Sequence, residues 1–170
     1  MKIAEVIDEL GILPFVLEDE LKRLTDSELR QRQKQGYFSL MEQVCHLRDI
    51  EVEGYTRRLQ LLLAEDHPKL HDLDGTALAK VRDYNAQPFL PALTAFQAAR
   101  HANLLRLERM HERDLARRGH LEKVGEISIG RLLDLWVAHD REHMKEIEDL
   151  LQALREPITA QPQPPLSLRT

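Results

Sequence analysis

The sequence predicts an all-α protein, a four-helix bundle with a long connection between its second and third helices. Two observations carry this prediction. The 170 residues are 42% apolar and 31% charged and include only 7 glycines, a composition that favours helices over sheet. Apolar residues also recur at helical spacing in four long stretches, and an irregular stretch with prolines separates the second from the third. Helices of this kind bury one face each in a shared core.

The chain length suits a single domain. We assign residues 1–155 to the bundle and residues 156–170 to a Pro-rich C-terminal tail, which carries four prolines and has no core of its own. The formal net charge of −5 argues against nucleic acid as a partner. The lone cysteine permits no internal disulfide, no apolar run has membrane-spanning length, and the acidic N-terminus is unlike a signal peptide. We therefore expect a cytoplasmic protein with no membrane partner.

The first long helix is predicted over residues 3–24, where apolar residues recur every three or four positions. Pro14 lies inside this stretch. Because proline lacks a backbone donor and disfavours helical backbone at the residue before it, we expect a kink or break near Ile12. The residues from Thr25 to Glu28 then form a capping box, which predicts a short helical turn over residues 27–33.

The second long helix is predicted over residues 39–65. Ser39 and Glu42 form another capping box immediately before an apolar-periodic run. Apolar side chains spread widely around this helix, so we expect it to contact two neighbours. The connection that follows, residues 66–91, contains three prolines and a glycine and is expected to hold one short helix over residues 76–85.

The third and fourth helices complete the predicted bundle. The third is expected to begin near Pro91, which suits a first turn, and to end at Gly119, since glycine commonly follows a helix end. Two polar residues, Arg100 and Asn103, interrupt its apolar face. They are compatible either with a buried ion pair or hydrogen-bond pair, or with a ligand contact. The fourth helix is predicted over residues 128–154, with a serine as its N-cap.

The apolar face of the fourth helix is interrupted by two histidines, His139 and His143, one turn apart. An imidazole that faces a core requires hydrogen-bond partners or a metal ion. Two histidines at i and i+4 can share one ion, and His46, at a compatible depth in the second helix, is the natural third ligand. The alternative is that these are structural histidines satisfied by hydrogen bonds.

Taken together, these residues resemble the DinB-like superfamily, and the resemblance extends from about residue 9 to residue 154. The matching residues are Ser39, Leu40, Glu42, His46, Leu47, His139, Asp140 and His143. The resemblance implies a four-helix bundle. It also implies a divalent metal such as nickel or zinc, bound by the three histidines at positions 46, 139 and 143.

The resemblance further implies a metal-dependent enzyme. Relatives include thiol S-transferases that use low-molecular-weight thiols such as bacillithiol or mycothiol, a thiol-dependent maleylpyruvate isomerase, and proposed metal-dependent hydrolases. We therefore expect a metal that activates a thiol or a water toward a small-molecule substrate. In this hypothesis Arg100 and Asn103 contact the substrate, and Asp49 and Asp140 accept hydrogen bonds from the ligand imidazoles. The alternative is a non-catalytic bundle that binds or dimerises, and a homodimer is expected from the bundle type.

Overall fold

The computed structural model describes residues 1–34 and 36–155. The helices of this part of the chain are α1 (Ile3–Leu21), α2 (Asp26–Arg30), α3 (Leu40–Asp49), α4 (Arg57–Ala64), α5 (Gly75–Val81), α6 (Phe89–Glu108) and α7 (Ile129–Arg155). The strands are β1 (Lys69–Leu70), β2 (Arg118–Leu121) and β3 (Gly125–Ser128). A π-helical segment, Ile50–Thr56, joins α3 to α4. The tail predicted over residues 156–170 lies outside the described residues and stays a prediction.

The predicted four-helix bundle is confirmed. Its helices are α1, the continuous α3–π–α4 unit, α6 and α7, with α6 and α7 both packed against α1 and α3. The capping boxes at Thr25 and Ser39 begin α2 and α3 as the sequence predicted. Within the described residues, no helix combines the length and the apolar character that crossing a lipid bilayer requires.

The sequence predicted a kink or a break near Ile12, and the break is wrong, because α1 continues through Pro14. Proline has no N–H to offer the carbonyl of the residue four positions earlier, which here is Leu10. The guanidinium of Arg100 supplies the missing donor, with its Nη1 2.7 Å from the Leu10 carbonyl oxygen. A side chain from α6 therefore compensates for the hydrogen bond that Pro14 removes from α1.

The end predicted for the third helix is also wrong. Helix α6 ends at Glu108, and Gly119 instead lies in β2, the central strand of a small sheet ordered β1–β2–β3. A Cβ atom on Gly119 would lie 2.7 Å from the carbonyl oxygen of Pro68, so this glycine allows a close backbone approach. Ser128 caps α7 as predicted, since its Oγ accepts a hydrogen bond from the Arg131 backbone at 3.1 Å.

The π-helical segment is the one feature of the second helix that periodicity did not predict. A π-turn adds a residue to the helical repeat and so changes which side chains face inward beyond it. Glu51, at the start of this segment, lies in the bundle interior, where its side chain is 1% exposed. Tyr55, near its end, lies against α7, where its hydroxyl donates to the Leu135 carbonyl at 3.2 Å. Both residues lie behind the site described next.

Candidate metal centre

Three imidazoles from two helices of the bundle converge on one another. His46 comes from α3, and His139 and His143 come from successive turns of α7. One nitrogen from each ring lies within 4.8 Å of the other two, and no other three His, Cys, Asp or Glu residues of the described chain meet this closely. The Nε2 atoms of His46 and His139 are 3.4 Å apart. A tetrahedral ion with metal–nitrogen bonds of about 2.0–2.1 Å separates its ligand nitrogens by about 3.4 Å, so this spacing fits two ligands of one ion.

The histidines that titrate abnormally are held neutral. Burial, followed by the proximity of His139, lowers the pKa of His46 to about 4, although nearby Asp49 opposes the shift. Burial, and then the proximity of the other two rings, lowers the pKa of His143 to about 2. Neutral imidazole is the form that binds a metal ion, and at neutral pH both rings are therefore in that form.

The hydrogen bonding of the three rings is unequal. In the described chain, the buried Nδ1 atoms of His46 and His139 have no hydrogen-bond partner. The Nδ1 atom of His143 lies 2.6 Å from Oε1 of Gln43, and Nε2 of Gln43 donates to Glu146 at 2.7 Å. Buried polar atoms without partners are rare in folded proteins. These two Nδ1 atoms are distinct from the Nε2 atoms whose spacing fits one ion, so they are ring nitrogens that no protein group orients.

Close packing fixes the His46 ring from the side of α5. A Cβ atom on Gly75 would lie 2.3 Å from Cε1 and 2.6 Å from Nδ1 of His46, so only glycine leaves room for the ring in its observed position. The ring of Phe38 lies 5.6 Å from His46 between centroids, and the ring of Tyr55 lies 5.7 Å from His139 between centroids in an edge-to-face arrangement. Sequence analysis placed this glycine in an irregular connection and gave it no role at the site.

A cavity of about 720 Å³ opens from the imidazoles to the surface. Its wall includes Phe38, Gln43, His46, Thr76, His143 and Glu146. His139 lies against the other two rings, with centroids 5.5 Å from His46 and 4.4 Å from His143. A cavity of this size is in the range that accommodates small organic ligands.

Neither Arg100 nor Asn103 lines this cavity, in contrast to the predicted substrate contact. Arg100 is 1% exposed and uses all five of its N–H donors, two toward Glu51, two toward Asp140 and one toward the Leu10 carbonyl. Asn103 is fully buried, and its amide nitrogen donates to Glu51 at 2.7 Å. A guanidinium whose donors are all occupied inside the bundle has none left for a substrate.

The two carboxylates predicted to support the ligand rings are also engaged elsewhere. Asp140 accepts from Arg100, and its Oδ1 lies 3.8 Å from Nδ1 of His139, beyond hydrogen-bond distance. Asp49 accepts hydrogen bonds from Arg48, Arg82 and Tyr84. The side chain that does accept from a ligand ring is Gln43, three positions before His46 on α3, to which the sequence pattern assigned no role.

The network around Arg100 forms the wall behind His139. Trp136, one turn before Asp140 on α7, donates its indole N–H to Glu51 at 3.2 Å. The ring of Tyr55 stacks on Trp136 with centroids 4.6 Å apart and planes 4° from parallel. A buried scaffold of paired charges and stacked rings therefore holds the part of α7 that carries His139.

Comparisons with known proteins agree with the bundle, and the relatives that they find are named as metal-dependent. A family model described as the DinB superfamily matches residues 16–147, most of the chain. A proposed metal-dependent hydrolase of Oceanobacillus iheyensis is 26% identical over 148 residues, which cover 87% of this chain and 85% of that protein. The proposed metal-dependent hydrolase YfiT of Bacillus subtilis is 26% identical over 151 residues, covering 88% of this chain and 82% of YfiT.

The solved structure of YfiT supports the fold independently. It has what is described as an unusual four-helix bundle topology, and it superposes on this chain with a TM-score of 0.81 at 22% identity. The superposition covers 89% of this chain and 87% of YfiT. Together with the family match over residues 16–147, this places the chain in the DinB superfamily.

Proposed function

We propose that this chain is a metal-dependent hydrolase whose divalent metal is bound by His46, His139 and His143. The observation that carries the proposal is the convergence of the three imidazoles, with one nitrogen of each within 4.8 Å of the others, beside a cavity that opens to the surface. The hydrolase class is supported by the two relatives named as proposed metal-dependent hydrolases.

The donor set suits a catalytic ion better than a structural one. Structural zinc sites are closed by four protein ligands, whereas three ligands leave open positions. Imidazole nitrogen suits zinc and nickel alike, so either ion is compatible with this set. When bound, such an ion supplies Lewis acidity that lowers the pKa of a water or thiol at its open positions.

The residues around the rings would keep the centre in place and shape access to it. Gly75 and Phe38 hold His46 from one side, and Gln43 holds Nδ1 of His143. The cavity of about 720 Å³ admits a small-molecule substrate to the face of the rings that is turned toward the surface. Glu146 adds a carboxylate to that wall, more than half exposed to water.

Two alternatives follow from the same residues. A low-molecular-weight thiol in place of water would make the protein a thiol S-transferase, as part of the family resemblance implies. A non-catalytic module that binds or dimerises is favoured by one observation, since it predicts that Arg100 is paired internally, as the structure shows. The homodimer expected from the sequence also stays a proposal, to be checked by light scattering coupled to size-exclusion chromatography.

The deciding experiment is metal analysis of purified protein by mass spectrometry, beside two matched variants. Wild type is expected to carry about one divalent ion per chain, and His143→Ala is expected to lose it because two imidazoles rarely retain an ion alone. His101→Ala removes an exposed histidine of α6 and is expected to keep the ion. Equal metal content in wild type and His143→Ala would contradict the assignment.

Activity then separates the enzyme classes. Metal-loaded wild type is assayed against a panel of small esters and amides, with and without a low-molecular-weight thiol. Turnover that needs no thiol and is lost in His143→Ala supports a hydrolase, whereas turnover only with thiol supports the transferase. A stoichiometric ion without turnover of any compound, or no ion at all, favours the binding module.

A further inference from the structure

Gln43 bridges a ligand histidine and a carboxylate at the edge of the cavity. Its side chain is only 2% exposed, although it is polar and lies on a helix packed into the bundle. Its Oε1 is 2.6 Å from Nδ1 of His143, and its Nε2 is 2.7 Å from Oε2 of Glu146. The same Glu146 oxygen lies 3.3 Å from Nδ1 of His143, so the three groups form one compact unit.

The chemistry of the three groups fixes the direction of each hydrogen bond. An ionised carboxylate only accepts hydrogen bonds, so Glu146 requires the NH₂ group of Gln43 to face it. The amide oxygen of Gln43 must then face His143, and an amide oxygen also only accepts. His143 must therefore donate from Nδ1, and a neutral ring that is protonated on Nδ1 carries its free lone pair on Nε2.

The other two rings lack this constraint. In the part of the chain that the structure describes, Nδ1 of His46 and Nδ1 of His139 have no hydrogen-bond partner. Hydrogen bonds to the second nitrogen of a ligand imidazole commonly set its tautomer and its orientation. Among the three rings, His143 is thus the one whose metal-binding nitrogen is selected by the protein itself.

We propose that Glu146 and Gln43 are positioning residues for the metal centre. Glu146 sets the direction of the Gln43 amide, and Gln43 in turn holds His143 with its proton on Nδ1 and its lone pair on Nε2. This inference rests on the proposed function, because the arrangement matters only if His143 binds an ion. Neither residue contacts substrate in this role, and both act through His143.

The test exchanges the two polar groups. Glu146→Gln removes the charge that orients Gln43, so the amide can turn over and His143 can adopt either tautomer. Gln43→Glu places two carboxylates against each other. The double variant Gln43→Glu/Glu146→Gln restores the pattern, because the carboxylate at position 43 accepts from Nδ1 of His143 and from the amide at position 146. Glu148→Gln is the matched control, since it removes the same charge from the α7 face that lines a different groove.

Two measurements are made on each folded variant. Nitrogen NMR of the histidine rings in metal-free protein reports the tautomer of His143, and competition with a chromophoric chelator reports the affinity for zinc. Wild type and Glu148→Gln are expected to show the Nδ1–H tautomer and the same affinity. Glu146→Gln is expected to show mixed tautomers and zinc affinity reduced about tenfold or more, with both properties recovered in the double variant. Gln43→Glu is expected to keep the Nδ1–H tautomer, because a carboxylate at position 43 still only accepts.

The outcomes separate this inference from the proposed function. Wild-type protein that binds no stoichiometric zinc overturns the metal site itself. If wild type binds zinc but His143 carries its proton on Nε2 in the metal-free protein, the positioning role is overturned and the metal site stands. The positioning role is also overturned if Glu146→Gln leaves both the tautomer and the affinity unchanged, or if the double variant recovers neither.

Discussion

The histidine centre and the Arg100 network are two polar interruptions of apolar helix faces, but the structure completes them differently. Arg100 directs all five donors at acceptors supplied by the bundle, namely Glu51, Asp140 and a backbone carbonyl. The three histidines converge on one another instead, and two of them keep an unpartnered buried nitrogen within the described chain. One region pairs its polar groups within the protein, and the other brings the Nε2 atoms of two rings to 3.4 Å from each other.

This difference teaches how to separate a structural polar group from a functional one. A buried charge without a partner costs several kcal/mol, so a network that serves stability tends to match every donor with an acceptor. A site that serves an external ion must instead bring lone pairs of several side chains together, as the three converging imidazoles do. The comparison predicts that substitutions in the Arg100 network change stability, whereas substitutions at the histidines change metal binding.

The largest expected effect is on folding stability, in Arg100→Met. The substitution leaves the Glu51 and Asp140 carboxylates buried without a cation, and breaking a buried pair in this way costs about 3–5 kcal/mol. Urea denaturation followed by circular dichroism should show this loss in the free energy of unfolding. The molecules that remain folded in dilute buffer should still bind metal, because Arg100 does not contact the imidazoles.

Arg141→Met is the matched control. Arg141 also pairs with a carboxylate, that of Glu9, but its side chain is 59% exposed. Replacing an exposed pair changes stability by no more than about 1 kcal/mol. If both arginine variants lose the same small amount, the buried network does not stabilise the bundle, and the contrast between the two regions fails.

The fold was predictable because helical periodicity and caps are local properties of the sequence. Ser39 with Glu42, Thr25 with Glu28, and Ser128 all begin helices as predicted. The errors arose where a partner distant in sequence decides the outcome. Arg100 donates to the carbonyl that Pro14 leaves free, and the close approach of Pro68 explains Gly119 as a strand residue.

The histidine cluster could be predicted in part for the same reason as the helices, since His139 and His143 lie on one apolar helix face. His46 was assigned from its compatible depth in the second helix and from the family resemblance. The supporting residues could not. Periodicity gives the face of a residue but not its distance from a particular ring, and Asp49 and Asp140 were expected beside the imidazoles on sequence proximity alone. Glu51 lies four positions after Leu47 on the buried face of its helix, and helical spacing alone did not indicate that it pairs there with Arg100.

A second expected effect is a loss of stability on acidification of metal-free protein. His46 and His143 have folded pKa values of about 4 and about 2, below the ordinary value of 6.5. Between pH 6.5 and about pH 4 the unfolded chain therefore takes up protons that the folded state refuses, and stability falls as the pH falls. Each histidine contributes on the order of 1.4 kcal/mol per pH unit in that window.

The measurement is the free energy of unfolding in urea at pH 7, 6 and 5 after treatment with a chelator. His143→Gln should lose less stability over this range than wild type, because one of the two abnormal groups is gone. His101→Ala, which removes an exposed histidine, should follow the wild-type curve. A wild-type curve that is flat from pH 6.5 to pH 5 would mean that the rings are not held neutral in the fold.

The smallest expected effect is that of Gly75→Ala, which should change both folding stability and zinc binding. The added methyl group would lie 2.3 Å from Cε1 of His46, so the ring or the start of α5 must move. Overpacking of this kind costs about 1–3 kcal/mol. The displaced ring should also weaken zinc binding, so both unfolding and chelator competition are measured.

Gly11→Ala is the control, since no neighbouring atom lies within 4 Å of its added Cβ and alanine stabilises a helix interior by about 0.5–1 kcal/mol. Unchanged zinc affinity in Gly75→Ala would show that the position of His46 is set by its other neighbours. The geometry of the histidine centre would then depend on α3 and α7 alone.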